Sequence, residues 1–161
     1  IILHQIVASV LASEFTTSGQ RKHFNELTTA EFFAIAKLRM AVFVVEQNCP
    51  YQEIDEIDKE AWHVWLTAET GEIAAYGRVY GNQSSSHLGR VLVNEAYRGQ
   101  HLGNHLLEEL LAVAQEHFPQ APVVISAQAH LQNFYGNFGF QPTSDVYLED
   151  GIPHIEMRRE S

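Results

Sequence analysis

The chain has 161 residues, 45% of them hydrophobic and 19% charged, with a formal net charge of -10, which suits one domain burying roughly 70% of its unfolded surface. The acidic balance argues against a sequence-independent nucleic-acid binder, which needs clustered Lys and Arg to displace counterions, and suits cationic partners better. A single cysteine, Cys49, leaves no intrachain disulfide and no four-cysteine zinc site. No apolar run approaches the roughly 20 residues that span a bilayer, so the reading is a cytoplasmic protein without a membrane partner.

Residues 1–20 read as an N-terminal extension or an expression remnant, in which Ile1, Ile2, Ile6, Val7, Val10 and Leu11 suit one helical face. A signal peptide would need basic residues ahead of a longer apolar run. Residues 21–161 are expected to form the single domain. Residues 21–27 suit a short strand or its start. Thr28 with Glu31 forms a capping-box pattern ahead of apolar residues at helical spacing, predicting a helix that ends near Val45. Pro50 then enforces a loop over 46–53. Glu53, Asp55, Glu56, Asp58 and Glu60 crowd a short acidic segment, which either draws cationic amines by its field or is a solvated face.

Strands are predicted over 62–68 and 73–80, joined by a hairpin turn at 69–72, and over 87–93. A long amphipathic helix follows over 102–118, then a short buried strand over 123–127. A third helix over 131–138 is closed by Gly139, and two terminal strands, 140–146 and 152–158, flank Asp150 and Gly151. A meander of strands followed by helical crossovers predicts a mixed α/β fold with one largely antiparallel sheet.

The stretch from Gly89 to Leu107 is the most informative. A β-branched run breaks into a loop holding Arg98, Gly99 and Gly103, after which leucines recur at helical spacing. Unpaired backbone N–H groups and the macrodipole at such a helix start suit phosphate. His101 and His105, four apart, could chelate a metal on one helix face, but spacing fixes no third ligand and no metal is expected. Cys49 has no base that sequence can pair with it, and reads as a small loop or buried residue.

Three segments carry a family resemblance. They are residues 38–51, residues 90–104, and residues 127–140 with the Gln128 to Tyr135 run; Glu149-Asp150-Gly151-Ile152-Pro153-His154 adds to them. The chain resembles the GNAT superfamily of N-acetyltransferases, most closely its ElaA-type subgroup, over roughly Phe24 to the C-terminus. It departs from the superfamily pattern Arg-x-x-Gly-x-Gly at His101, where the first glycine would stand. Either that position takes φ > 0, uncommon for histidine, or it continues the helix start.

The resemblance implies a GNAT fold with acetyl-CoA as cosubstrate. Its pyrophosphate would rest on the backbone N–H groups of Gly99, Gln100, His101, Leu102, Gly103 and Asn104, with Arg98 adding a charge-assisted bond. Val91, Leu92 and Val93 would offer backbone partners to the pantetheine arm. Gln128 and Asn133 would position cofactor amides or satisfy element ends. Tyr135 is the first catalytic candidate, because a phenol of pKa near 10 can protonate a departing thiolate whose conjugate acid lies near 8.5.

A lysine-like amine must also lose a proton before attack, at about 4–5 kcal/mol at neutral pH. Glu46 is the first candidate base, or else orients the loop or pairs with Arg39. His63 and His130 come next, with His63 alternatively a hydrogen-bonded core histidine. The expected function is acetyl transfer to a primary amine, on a small molecule or a protein, by direct attack in a ternary complex. A longer acyl chain, or a non-catalytic acyl-CoA-binding module, is the alternative. The resemblance is compatible with a homodimer.

Overall fold

The computed structural model describes residues 17–161. The apolar pattern predicted over 1–16 lies outside them, whereas Thr17 to Gln20, assigned from sequence to the extension, belong to the first strand. That strand, β1 (Thr17–His23), pairs antiparallel with β2 (Trp62–Ala68). β2 pairs with β3 (Ile73–Gly81), and β3 with β4 (Ser86–Val93), both antiparallel. α1 (Thr29–Arg39) continues as a π-helical turn over Met40–Glu46, and α2 (Leu102–His117) crosses over to β5 (Val123–Gln128), which runs parallel to β4. α3 (Gln132–Gly136) leads to three terminal strands, β6 (Gln141–Pro142), β7 (Tyr147–Glu149) and β8 (Ile152–Arg159). The sheet order is β1-β2-β3-β4-β5-β8-β6, with β7 also on β8. The expected mixed and mostly antiparallel sheet is therefore present.

Period-2 alternation explains why β2 and β3 are buried on both faces. Val64, Leu66, Ala75 and Val79 meet Leu106, Leu107, Leu110 and Val113 of α2 on one face. Trp65 and Tyr76 meet Ile35, Val42 and Phe43 of α1 and its π turn on the other. Gly77 lets α2 approach closely, since a Cβ there would stand 2.8 Å from Leu110. The Thr28–Glu31 capping box forms as expected, with Thr28 Oγ1 accepting from the Glu31 N–H at 3.1 Å.

Three predicted elements change. β1 stops at His23, which caps a 3-10 turn over Phe24–Glu26. The third helix is shorter than predicted, a 3-10 turn (Ala129–Leu131) followed by the five residues of α3. The strand predicted over 140–146 breaks in two. Pro142 has no N–H to extend the ladder, and only Gln141 and Pro142 pair with β8 before β7 begins. β7 and β8 then join through Asp150 (φ 52) and Gly151 (φ 80), the two positive φ values of a tight hairpin turn.

Candidate active site

The site arises where two parallel neighbours separate. β4 and β5 pair only over Ser86–Leu88 and Val123–Ile125. Beyond that, β5 stays on β8, while β4 carries an extra residue against β3: Arg78 pairs with Gly89 and Tyr76 with Leu92. Arg90 occupies this bulge at φ 53, bending the strand away from its neighbour. The edge of β4 from Gly89 to Val93 then faces a cleft of about 710 Å³. The end of the π turn (Val42, Phe43, Glu46) closes one side; β5, Gln128, His130, Tyr135 and the β7–β8 hairpin close the other.

A smaller cavity of about 280 Å³ adjoins it and shares Val93 and Arg98. It is lined by Gly99, His101, Leu102, Gly103 and Asn104, with Phe134 as its apolar wall. His101 is the N-cap residue of α2 at φ 60, and makes no side-chain cap. The first amides of α2 are therefore left for an anion. The positive φ is the reason a glycine is usual at this position: an L side chain tolerates it at some strain. Gly99 (φ 84) stands in open space, so a ligand meets backbone rather than a side chain. Gly103 packs against Phe134, whose ring would lie 3.4 Å from a Cβ there.

An uncapped helix start beside an unpaired strand edge fits the two ends of an acyl-CoA. The α2 amides suit its phosphates, and the free β4 backbone suits an arm built of amides. Gln100 encloses an Oε1 with no hydrogen-bond partner, but lines neither cavity. Asn133 is exposed on α3 and also lines neither. Gln128 reaches the cleft wall.

Tyr135 lies on the cleft wall with 3% of its surface exposed. Phe134 and Phe140 hold its ring edge-on at 5.1 and 5.9 Å. Burial raises its hydroxyl pKa well above the ordinary 10.0, so the phenol keeps its proton and remains a donor.

The three base candidates part company. Glu46 is held in a two-pronged ion pair with Arg98, at 2.5 and 2.9 Å. The Arg98 hydrogen bond lowers its pKa below the usual carboxylate range, which weakens it as a proton acceptor, and its partner is not the Arg39 considered from sequence. His63 is fully buried away from the cleft, with Nδ1 2.6 Å from the Tyr76 hydroxyl and Nε2 3.0 Å from the Asp58 carbonyl. Burial lowers its pKa, and it is a core histidine, so the base reading is corrected. His130 is exposed on the cleft wall.

The acidic segment is divided: Glu56 and Glu60 are solvated, whereas Glu53, Asp55 and Asp58 are drawn into an ion-pair network. Glu53 and Asp58 are 1% and 2% exposed. The buried Arg39 donates to both, at 2.8 and 2.6 Å, and Arg78 donates to Asp55 and Asp58 at 2.7 and 2.9 Å. Arg90 Nε lies 2.8 Å from Glu53 Oε2, although its N–H points off the contact, so this attraction is ionic rather than a directed hydrogen bond. The bulge residue is thereby fastened to the loop after α1. Cys49 is buried, and its thiol donates to the Asp150 carbonyl at 3.3 Å, tying that loop to the β7–β8 turn.

Sequence reasoning attached no role to Glu149 and His154, which the hairpin brings into the cleft. His154 Nδ1 is 2.7 Å from the Ile152 carbonyl and Nε2 is 3.3 Å from Glu149 Oε2. The signal was present in Asp150-Gly151: a two-residue turn there pairs Glu149 with Ile152 and sets His154 opposite Tyr147.

A split between parallel strands, a strand bulge at its edge and an uncapped helix start beside it make a cleft that suits an acyl-CoA. The chain belongs to the GNAT acetyltransferase family, whose domain, described as Acetyltransferase (GNAT) domain, matches residues 22–161. It is 46% identical over 146 residues to Protein ElaA of Escherichia coli strain K12, covering 88% of this chain and 95% of that protein. The crystal structure of Escherichia coli ElaA superposes with a TM-score of 0.85 over 90% of this chain and all of that one, at 44% identity. An acyl-CoA N-acyltransferase from Pseudomonas aeruginosa matches equally in shape, at a TM-score of 0.85 and 43% identity, over 89% of this chain and 99% of that chain. Among the described residues no helix is long and apolar enough to cross a membrane.

Proposed function

We propose that the protein transfers an acetyl group from acetyl-CoA to a primary amine by direct attack within a ternary complex. The observation that carries this reading is the cleft between β4 and β5, with the protonated Tyr135 on its wall and the uncapped start of α2 at its end. Acetyl-CoA supplies the activated acyl thioester. The α2 amides and Arg98 hold its phosphates, and the free edge of β4 from Val91 to Val93 aligns its amide-bearing arm.

Tyr135 serves as the acid. Its hydroxyl gives a proton to the sulfur that leaves, and the aromatic packing around the ring keeps the phenol aimed without reorganisation. Calorimetry with acetyl-CoA, followed by mass spectrometry of a primary-amine panel incubated with protein and cosubstrate, tests the reading. Tyr135→Phe is expected to keep acetyl-CoA binding and lose at least tenfold in turnover. Tight binding with no acetylation of any amine would mark an acyl-CoA-binding module instead.

A further inference from the structure

Resting on that reading, we infer that His154 is the group that takes the acceptor's proton, and that Glu149 receives the acceptor as a cationic primary amine. A carbonyl only accepts hydrogen bonds, so the 2.7 Å contact from Nδ1 to the Ile152 oxygen places the ring proton on Nδ1. In the neutral ring Nε2 then carries the lone pair. It faces the cleft beside Glu149 Oε2, 3.3 Å away. Two acceptors aimed at one place do not attract each other; a donor with several N–H bonds satisfies both, and an ammonium is such a donor.

The surroundings fix the pair. Tyr147 lays its ring against the His154 ring at 6.3 Å and 26°. The Tyr147 hydroxyl bonds to Ser126, whose Oγ lies 3.5 Å from Glu149 Oε2. His154 is 8% exposed, so its ring is held by packing as well as by the carbonyl. The other titratable or charged groups around it are Asp150 in the turn, His130 and Tyr135 on the same side of the cleft, and Cys49 and Tyr51 on the loop after α1. Arg90 and the Glu46–Arg98 pair lie on the β4 side. Arg90 is committed to Glu53 and Asp55, and Arg98 to Glu46, so neither cation neutralises Glu149.

The proton balance closes with these groups. An ammonium becoming an amide N–H loses two protons. His154 Nε2 takes the first, and the freed nitrogen lone pair forms the C–N bond as the C–S bond breaks. The departing sulfur takes the Tyr135 proton, and the second proton from nitrogen restores the phenol. The imidazolium, facing Glu149, returns its proton to water.

The test measures thiol release from acetyl-CoA with a diamine, an aminosugar, an α-amino peptide and a lysine peptide, across pH, with acetyl-CoA affinity measured separately. His154→Gln is expected to lose at least about a hundredfold in kcat, to leave the residual kcat/KM rising with pH toward the amine's own pKa, and to leave acetyl-CoA affinity within twofold. Glu149→Gln, at a half-exposed position where folding is not at stake, is expected to raise amine KM about tenfold or more with a smaller loss of kcat. His154→Gln retaining kcat within threefold with an unchanged acid limb overturns the inference while leaving the proposed function standing. Wild-type protein that acetylates none of the amines overturns both.

Discussion

Arg98 and Glu46 clasp each other where the cleft meets the cavity at the start of α2, with guanidinium and carboxylate in a two-pronged pair at 2.5 and 2.9 Å. Arg98 Nε also donates to the Val93 carbonyl at 3.0 Å, so one side chain ties the last residue of β4 to the π turn after α1. In the proposed function, phosphate and Glu46 compete for the same cation. A half-exposed ion pair contributes about 0.2–1 kcal/mol. Glu46→Gln should release Arg98 and tighten acetyl-CoA binding by about two- to fivefold, while Arg98→Gln should weaken it by about three- to tenfold. Calorimetric dissociation constants for the two variants check this; equal shifts in one direction would show that the pair acts only as a brace.

His101 sits at φ 60 and ψ 22 at the head of α2. An L residue in this region carries strain of about 1–2 kcal/mol, part of which glycine returns as unfolded-state entropy. His101→Gly should therefore stabilise the fold by about 0.5–1 kcal/mol, raising Tm by roughly 1–4 °C, with acetyl-CoA affinity kept because the backbone amides do the binding. His101→Val, β-branched at a positive φ, should destabilise it. Thermal melts of the three proteins decide the sign.

These two residues also mark what was readable in advance. The strand, turn and helix around Arg98 follow from local pattern, whereas the positive φ of His101 is one of two alternatives that the pattern Arg-x-x-Gly-x-Gly leaves open, and the fold selects it. Glu46 as a partner for Arg98 does not follow from local pattern, because 52 positions separate them and only the packing of α1 on the sheet joins them. The acidic run shows the same limit. Glu53 and Asp58 look like surface charges in sequence, and three distant arginines, at 39, 78 and 90, convert them into a buried network. His63 was misplaced as a base for this reason: a histidine beside Trp62 has two readings, and Tyr76 and Asp58 select the core one.

Tyr135 makes a prediction at high pH. Its pKa is raised by burial, so ionisation begins above the ordinary value, and the acid form persists where a free phenol would be lost. Turnover should show no decline traceable to this residue up to about pH 10. A pH–kcat profile of the wild type against Tyr135→Phe checks this, because an alkaline limb near pH 9 present in the wild type and missing in the variant would place the hydroxyl in a wetter setting.

Asp58 ties the stability of the fold to pH on the acid side. It is 2% exposed and accepts from Arg39 at 2.6 Å and Arg78 at 2.9 Å. Burial alone would raise its pKa, but the hydrogen bond and charge of Arg39, the Asp55 N–H and the charge of Arg78 together hold it below the ordinary 3.8. A folded-state pKa below the unfolded one adds stability that is fully present above the unfolded value and lost as pH falls through the folded one. Stability from this group should thus be flat from pH 7 down to about 5 and then fall toward pH 2. Asp58→Asn leaves two buried guanidinium groups short of a counter-charge, and should destabilise the fold by about 3–5 kcal/mol at pH 7. Urea unfolding at a series of pH values tests both statements: the variant should lose much of the wild type's acid slope, and a variant curve parallel to the wild type's would assign that slope to other carboxylates.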